Sequence, residues 1–239
     1  MKKTILITGT SGELGYEIGK TLLADGYNVI GLSRSETSNI VKLKKIRGYA
    51  HIEFDLANPE NIRKLVLDIQ KEKVVLHGLV NNAALAYDDI VTNANIEKLR
   101  ESYDINVISP IILTKYVIRN MLLNKIKGSI VHISSISTKT GYKGLSMYAS
   151  SKGALEAFSK NVAREWGEIG IRSNVVIPGF METNMSKTLS DKQKDRIYMR
   201  TSLKQPTDIN SVAETTAFLI SDKSKSITGQ NINVDNGTI

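Results

Sequence analysis

Cysteine is absent from this 239-residue sequence, which excludes a disulfide framework, a thiolate metal site and a thiol nucleophile. Histidine is scarce: His51, His77 and His132 stand far apart in apolar contexts, which suits satisfied strand positions rather than a metal centre. No apolar run approaches the roughly 20 residues that a membrane span needs. The start, MKKTILITGTSGE, carries two lysines, but its apolar stretch passes straight into glycines and Glu13. A secretory signal would show a longer apolar region and a small-residue cleavage site. The expectation is a mature cytoplasmic protein with no membrane partner.

Acidic residues are outnumbered, giving a net charge of +8. Such an excess can mark nucleic-acid binding. Here the lysines are dispersed, and the densest cluster, KLKKIR (Lys42 to Arg47), reads as one solvated helix face. A basic protein that binds an anionic cofactor, and no nucleic acid, is the simpler expectation.

What is present is alternation. Short β-branched runs recur at TILIT, NVIGLS, AHIEF, LHGLVNN, SIVHIS, RSNVVI and NINVD, with helical patterns between them. In ELGYEIGKTLLADG, Leu14, Ile18, Leu22 and Leu23 recur at helical spacing and Gly26 stands as a stop. Near-continuously apolar strands alternating with helices imply a parallel sheet covered on both faces. No repeat or linker splits the chain. The predicted fold is α/β: a single doubly wound Rossmann domain over 1–239, with a seven-stranded parallel sheet.

TGTSGELG (Thr8 to Gly15) lies between the first strand and the first helix, with glycines at Gly9, Gly12 and Gly15. Backbone N–H groups at a helix N-terminus favour phosphate oxygens, and glycines let the backbone approach them. Gly9, Ser11, Gly12, Glu13 and Leu14 are therefore the expected phosphate-side contacts. The Glu13 carboxylate suits the helix dipole but would repel a pyrophosphate, so its side chain is expected to point away. The second strand ends in GLSRS, where an acid would hold a ribose hydroxyl and mark NAD. Ser33 and Arg34 stand there instead, and an arginine fork suits a 2′-phosphate. NADP(H) is favoured over NAD(H).

In HISSISTKTGYKGLSMYASSKGALEAF, Tyr148 and Lys152 are four apart in a helical stretch and share a face. A lysine ammonium beside a phenol is expected to lower its pKa from about 10, as a general acid at neutral pH requires. Ser135 ends the preceding strand, where its hydroxyl could meet a substrate carbonyl.

Taken together, these motifs resemble the short-chain dehydrogenase/reductase family over nearly the whole chain. TGTSGELG is similar to its cofactor loop, FDL to its adenine-side aspartate segment, and LVNNAA to its N-N-A-G. YDINVISP carries Asn106 at the place of the tetrad asparagine; SS followed by YASSK supplies Ser135, Tyr148 and Lys152. RSNVVIPGFMET resembles the segment closing over nicotinamide, and FLISDKSKSITGQNINVDNG the C-terminal signature. The loop departs from the usual short-branch T-G-x-x-x-G-x-G. Its middle glycine has moved one place earlier, to Gly12, leaving Glu13, as in the longer sugar-nucleotide branch. The length and the later motifs belong to the short branch.

The resemblance implies catalysis by Asn106, Ser135, Tyr148 and Lys152, with Asn106 anchoring a relay water and Lys152 also holding the nicotinamide ribose. It implies further cofactor contacts at Asp55, Leu56, Asn82, Ala83, Pro178, Gly179, Met181 and Thr183. The activity implied is hydride transfer between NADP(H) and a carbonyl or secondary alcohol. The closest likeness is to 3-oxoacyl-[acyl-carrier-protein] reductases. A sugar or secondary-metabolite carbonyl stands equal to a carrier-bound one, and a non-catalytic dinucleotide sensor or scaffold is the remaining class. For an acidic carrier, Ser129 stands where such reductases often have arginine, and a positive patch could come from Lys125, Lys127, Lys139 and Lys143. Residues Asn184 to Pro206 are expected to include a lid, or a plain surface helix over Ser190 to Met199. The helices VISPIILTKYVIRNMLL and ALEAFSKNVAREW are apolar on more than one face, so a homodimer or homotetramer is expected.

Overall fold

Strand β1 (Thr4–Thr8) is buried at all five positions, as a central strand covered on both faces must be. Side chains alternate along it: Leu6 enters one core cluster, while Ile5 and Ile7 enter the other. Burial of three such side chains is worth about 1.5 to 3 kcal/mol each. The computed structural model describes residues 2–183 and 189–238.

β1 is followed by α1 (Glu13–Ala24), β2 (Asn28–Ser33), α2 (Ser38–Lys44), β3 (Tyr49–Glu53), α3 (Ile62–Lys71) and β4 (Leu76–Asn81). Next come α4 (Ile96–Tyr103), a π-helical turn (Asp104–Ile108), α5 (Ser109–Leu123), β5 (Ser129–Ile133), α6 (Ser137–Thr140) and α7 (Ser146–Trp166). The chain closes with β6 (Arg172–Pro178), α8 (Asp191–Tyr198), α9 (Ile209–Ile220) and β7 (Asn231–Val234). All seven expected strands form, in one all-parallel sheet of order β3-β2-β1-β4-β5-β6-β7. The end of α1 follows the expectation at Gly26, whose φ of +86° a side-chain-bearing residue adopts at a cost.

One core cluster joins the sheet to α3, α5 and α7 through residues such as Leu65, Leu113, Val117 and Val162. The other joins it to α1 and α9 through Ile18, Leu22, Val212 and Ala217. The chain runs outward from β1 to β3, then returns to place β4 on the other side of β1. Ligands of open α/β sheets bind at this reversal, outside the C-terminal strand ends.

The two helices expected to be apolar all round divide their residues. Leu113, Val117, Ile118 and Met121 of α5 enter the core, leaving Ile108 exposed and Ile111, Ile112 and Tyr116 half-buried. The outward face of α7 is mixed, with Ala157, Lys160, Asn161 and Arg164 exposed.

Candidate active site

Thr8 ends β1 and Gly9 turns the chain at φ +75°; a side chain there would meet the Ala83 Cα at 2.9 Å. Gly15, in the first turn of α1, lies against the Gly9 carbonyl, where a Cβ would come within 2.1 Å of the oxygen. Over Gly12 a Cβ would meet nothing closer than that same oxygen at 3.6 Å. Packing within the chain thus demands glycine at 9 and 15, whereas at 12 it leaves space. Gly12 is also the N-cap of α1, with no capping side chain on the helix's first N–H groups.

The loop is tied from two sides. Thr8 Oγ1 accepts the N–H groups of Asn82 and Ala83, each at 3.0 Å, and Asn82 Nδ2 donates to the carbonyls of Thr8 (2.9 Å) and Gly9 (3.3 Å). From α2, Asn39 Nδ2 donates to the Ser11 carbonyl at 3.1 Å. Leu14 packs against the α1 and α9 side of the core. Glu13 lines a cavity of about 590 Å³ with Tyr16, Glu17, Glu182 and Asp208, on the α9 side of the loop.

At the end of β2, Ser33 is buried and its hydroxyl donates to the Ser35 carbonyl at 3.0 Å, while Arg34 is exposed. Asp55 is exposed just beyond β3, its Oδ1 accepting the Ala57 N–H at 3.0 Å. Leu56 is buried, and its carbonyl accepts the Ser109 hydroxyl at 2.5 Å.

Tyr148 lies in the first turn of α7 and Lys152 one turn on, as their spacing predicts. Ser135, just beyond β5, stands beside the Tyr148 phenol, near enough to hold its pKa down, and accepts the Ser137 N–H at 3.2 Å. Lys152 is 1% exposed; its Nζ donates to the Ile133 carbonyl at 2.8 Å and lies 5.8 Å from the Tyr148 ring centre. The ammonium therefore sits over the ring face.

Contrary to expectation the phenol's pKa is not lowered: burial pushes Tyr148 up to about 12, with Ser135 opposing the rise and Asp88 adding to it. Burial likewise pushes Lys152 down to about 8. Desolvation outweighs any mutual tuning when the ammonium's bond goes to a backbone carbonyl.

Asn106 is fully buried in the π-helical turn. Its Oδ1 accepts the Leu85 N–H at 2.7 Å, and its Nδ2 donates to the Leu85 carbonyl (2.9 Å), Ser102 (3.2 Å) and Ser151 (3.0 Å). The side chain is spent on holding the 85 segment and α7 together. Pro110, lacking an N–H, cannot close the α-helical bond to the Asn106 carbonyl. That proline is the sequence signal for the irregular turn, which periodicity alone misses.

On the far side, Pro178 ends β6 and its carbonyl accepts the Ile136 N–H at 2.9 Å. Gly179 is pressed against Thr207 and Asp235, where a Cβ would meet Thr207 Oγ1 at 2.5 Å and Asp235 Cα at 2.7 Å. Met181 packs half-buried on the core, and Thr183 follows. Of the expected lid, residues 184–188 lie outside the described residues. Beyond them α8 is a helix with a capping box between Ser190 and Gln193. It docks on the 180–182 stretch: Tyr198 donates to Glu182 at 2.5 Å, and its ring lies 6.0 Å from Phe180.

The expected lysine patch does not assemble. Lys125 and Lys127 precede β5 and Lys139 and Lys143 follow it, so the strand, about 3.3 Å per residue, separates the pairs. Lys127 lines a different cavity, of about 410 Å³, at the N-terminal strand ends with Lys3, His77 and Arg172. Lys139 is paired with Glu156 at 2.7 Å. Ser129 is buried and donates to the Leu219 carbonyl at 2.7 Å.

His132 is wholly buried, beside Asn81 at 3.1 Å and edge-on to Phe158, and burial pushes its pKa down to about 3. His51 and His77 are half-buried strand residues. No cluster of metal-ligating side chains and no helix long and apolar enough to cross a membrane occurs among the described residues.

A family model described as "Enoyl-(Acyl carrier protein) reductase" matches residues 9–238. Uncharacterized oxidoreductase YmfI of Bacillus subtilis is 32% identical, over 99% of each chain. The 3-oxoacyl-[acyl-carrier-protein] reductase FabG of Salmonella typhimurium is 33% identical, over 98% of this chain and 96% of the relative. Among solved structures, 4-hydroxyisoleucine dehydrogenase complexed with NADH superposes with a TM-score of 0.93 at 28% identity, covering 99% of this chain and 98% of that one.

Proposed function

This chain belongs to the short-chain dehydrogenase/reductase family of NAD(P)-dependent oxidoreductases acting on CH–OH and C=O groups, and on that premise we propose that it reduces a carbonyl with NADPH, Tyr148 giving the proton. The observation that carries the reading is the convergence of Ser135 and Lys152 on Tyr148, from a strand end and a helix, at the C-terminal edge of β5.

The residues present fit a dinucleotide. The space left over Gly12 and the uncapped start of α1 suit a pyrophosphate. Gly9, Ser11, Gly12, Glu13 and Leu14 would flank it, Glu13 by its backbone. Asp55 and Leu56 would border the adenine, and Asn82, Ala83, Pro178, Gly179, Met181 and Thr183 the nicotinamide half. When bound, the cofactor supplies the hydride.

Tyr148, whose pKa stands at about 12, holds its proton throughout the neutral range and is a donor to a developing alkoxide. Ser135 donates to the same oxygen and polarises the carbonyl. Lys152 spends one N–H on Ile133, and its others are free to hold a ribose hydroxyl. The Asn106 carbonyl, denied its α-helical donor by Pro110, is the acceptor for a relay water.

Arg34, exposed where an acid would mark NAD, supports NADP(H); the solved relative above holds NADH, so this choice is the chain's own. The likeness to FabG supports a 3-oxoacyl thioester, and 4-hydroxyisoleucine dehydrogenase a small hydroxy acid. NADPH oxidation screened against ketoacyl thioesters, ketosugars and quinones separates these. Tyr148→Phe tests the chemistry: it is expected to keep NADPH binding and lose at least the roughly 10²- to 10⁴-fold of general acid catalysis. Near-normal turnover by that variant would leave a dinucleotide sensor or scaffold as the better account.

A further inference from the structure

Glu156 lies on α7 one turn beyond Lys152 and is 7% exposed. Each of its carboxylate oxygens takes two donors. Oε1 accepts from Ser134 Oγ and Thr138 Oγ1, both at 2.7 Å. Oε2 accepts from Lys139 Nζ at 2.7 Å and Asn231 Nδ2 at 2.9 Å. Three of the four donors straddle Ser135 in the chain, and the fourth belongs to β7.

Burying a carboxylate is a poor route to stability, because an apolar side chain of similar volume often does as well. A saturated hydrogen-bond set does, however, fix position. The two sides of the candidate site come from different elements. Ser135 rides on the turn between β5 and α6, whereas Tyr148 and Lys152 ride on α7. Glu156 is the joint between that turn and that helix. We propose that Glu156 is a positioning residue, holding the Ser135 hydroxyl within hydrogen-bond reach of Tyr148. This rests on the oxidoreductase reading above, but its physical core does not need turnover to be observed.

The test uses Glu156→Leu, Glu156→Gln, Ser135→Ala and the double variant S135A/E156L. The ¹³Cζ resonance of Tyr148, identified by its loss in Tyr148→Phe, reports the Ser135 hydrogen bond without substrate. Glu156→Leu should move it in the same direction as Ser135→Ala, and the double variant should move it no further. Amide exchange over residues 134–140 should accelerate in Glu156→Leu while that of α3 does not. Glu156→Gln should restore both signals, because the Ser134 and Thr138 hydroxyls can turn to accept from the amide and leave its oxygen to Lys139 and Asn231.

With acetoacetyl-CoA as the probe, Glu156→Leu should lose roughly 10- to 100-fold in kcat, the scale of a misplaced catalytic group. NADPH affinity should stay within about threefold, and S135A/E156L should turn over no more slowly than Ser135→Ala. If Glu156→Leu does not fold, Thr138→Val removes one donor from Oε1, keeps the charge pair, and runs the same cycle. A Tyr148 resonance that ignores Glu156, or shifts that simply add, would overturn the proposal. If the resonances couple but Tyr148→Phe keeps its turnover, the positioning stands and the catalytic reading falls.

Discussion

The Lys152 ammonium lies over the Tyr148 ring, 5.8 Å from its centre, and gives its hydrogen bond to the Ile133 carbonyl. Burial lowers Lys152 in the folded chain from 10.5 to about 8. Between those values the unfolded chain holds a proton that the folded chain has shed. Stability therefore rises with pH across that window, and below it the fold bears the cost of a buried charge. Relative to Lys152→Met, the wild-type chain should gain about 2 kcal/mol in urea unfolding between about pH 7.5 and 9.5. The window stops short of the phenol's own effect: Tyr148, raised to about 12, withdraws stability only above about pH 10. Parallel pH curves for the two proteins would show that Lys152 is not held at about 8.

In the proposed reading, cofactor choice turns on one exposed cation, Arg34. Arg34→Ala should weaken NADPH by roughly 1.5 to 3 kcal/mol, the worth of a charge-assisted phosphate contact, and leave NADH nearly unchanged. Fluorescence titration with both cofactors measures this. Equal losses would remove Arg34 from the 2′-phosphate.

Gly15→Ala puts a methyl group 2.1 Å from the Gly9 carbonyl oxygen, so α1 and the loop must part. Overpacking of this kind costs about 1 to 3 kcal/mol. Both the melting temperature and NADPH affinity should fall. Gly12→Ala, with 3.6 Å of clearance, should leave the melting temperature near wild type and weaken NADPH alone. The contrast separates a glycine needed by the fold from one needed by the ligand.

Assembly is expected through α5 and α7. Ile108 is 39% exposed, and Tyr116 is half-buried with Lys115 and Arg119 over its ring, 5.2 and 5.6 Å from the centre. Light scattering should give a dimeric or tetrameric mass, and Ile112→Glu should reduce it. A monomeric wild type at micromolar concentration would end this reading.

The strands and the loop were legible because their causes are local. β1 reads as an unbroken apolar run, and Tyr148 and Lys152 share a face by spacing alone. Asn106 was legible as a residue but not as a contact. The bonds of its side chain to Leu85 and Ser151 exist only after folding brings distant segments together. The direction of the Tyr148 pKa shift was misread for a related reason. Spacing brings the two side chains near each other, but whether the ammonium bonds the phenol or the Ile133 carbonyl depends on where β5 ends. The lysine patch failed because the count of positive charges ignored strand direction, which sends Lys127 and Lys143 to opposite ends of the sheet. Glu156 carried no sequence signal: its four donors come from positions 134 to 231.

The π-helical turn at Asp104–Ile108 also sets a limit on chain length. Such a turn holds one residue more than an α-helix over the same stretch. It therefore sets every residue after it back by one helical position, about 100°, relative to an unbroken α-helix. The stripe of Leu113, Val117 and Met121 meets the core with that offset in place. Deleting one residue between 104 and 108 would let the helix run straight with this stripe still facing the core, but the Pro110 ring would then meet the carbonyl one turn before it. Substitutions in the turn leave the phase intact. A further residue inserted there has no second wide turn to absorb it and would rotate the stripe by about 100°, so this segment should accept changes of residue far more readily than insertions.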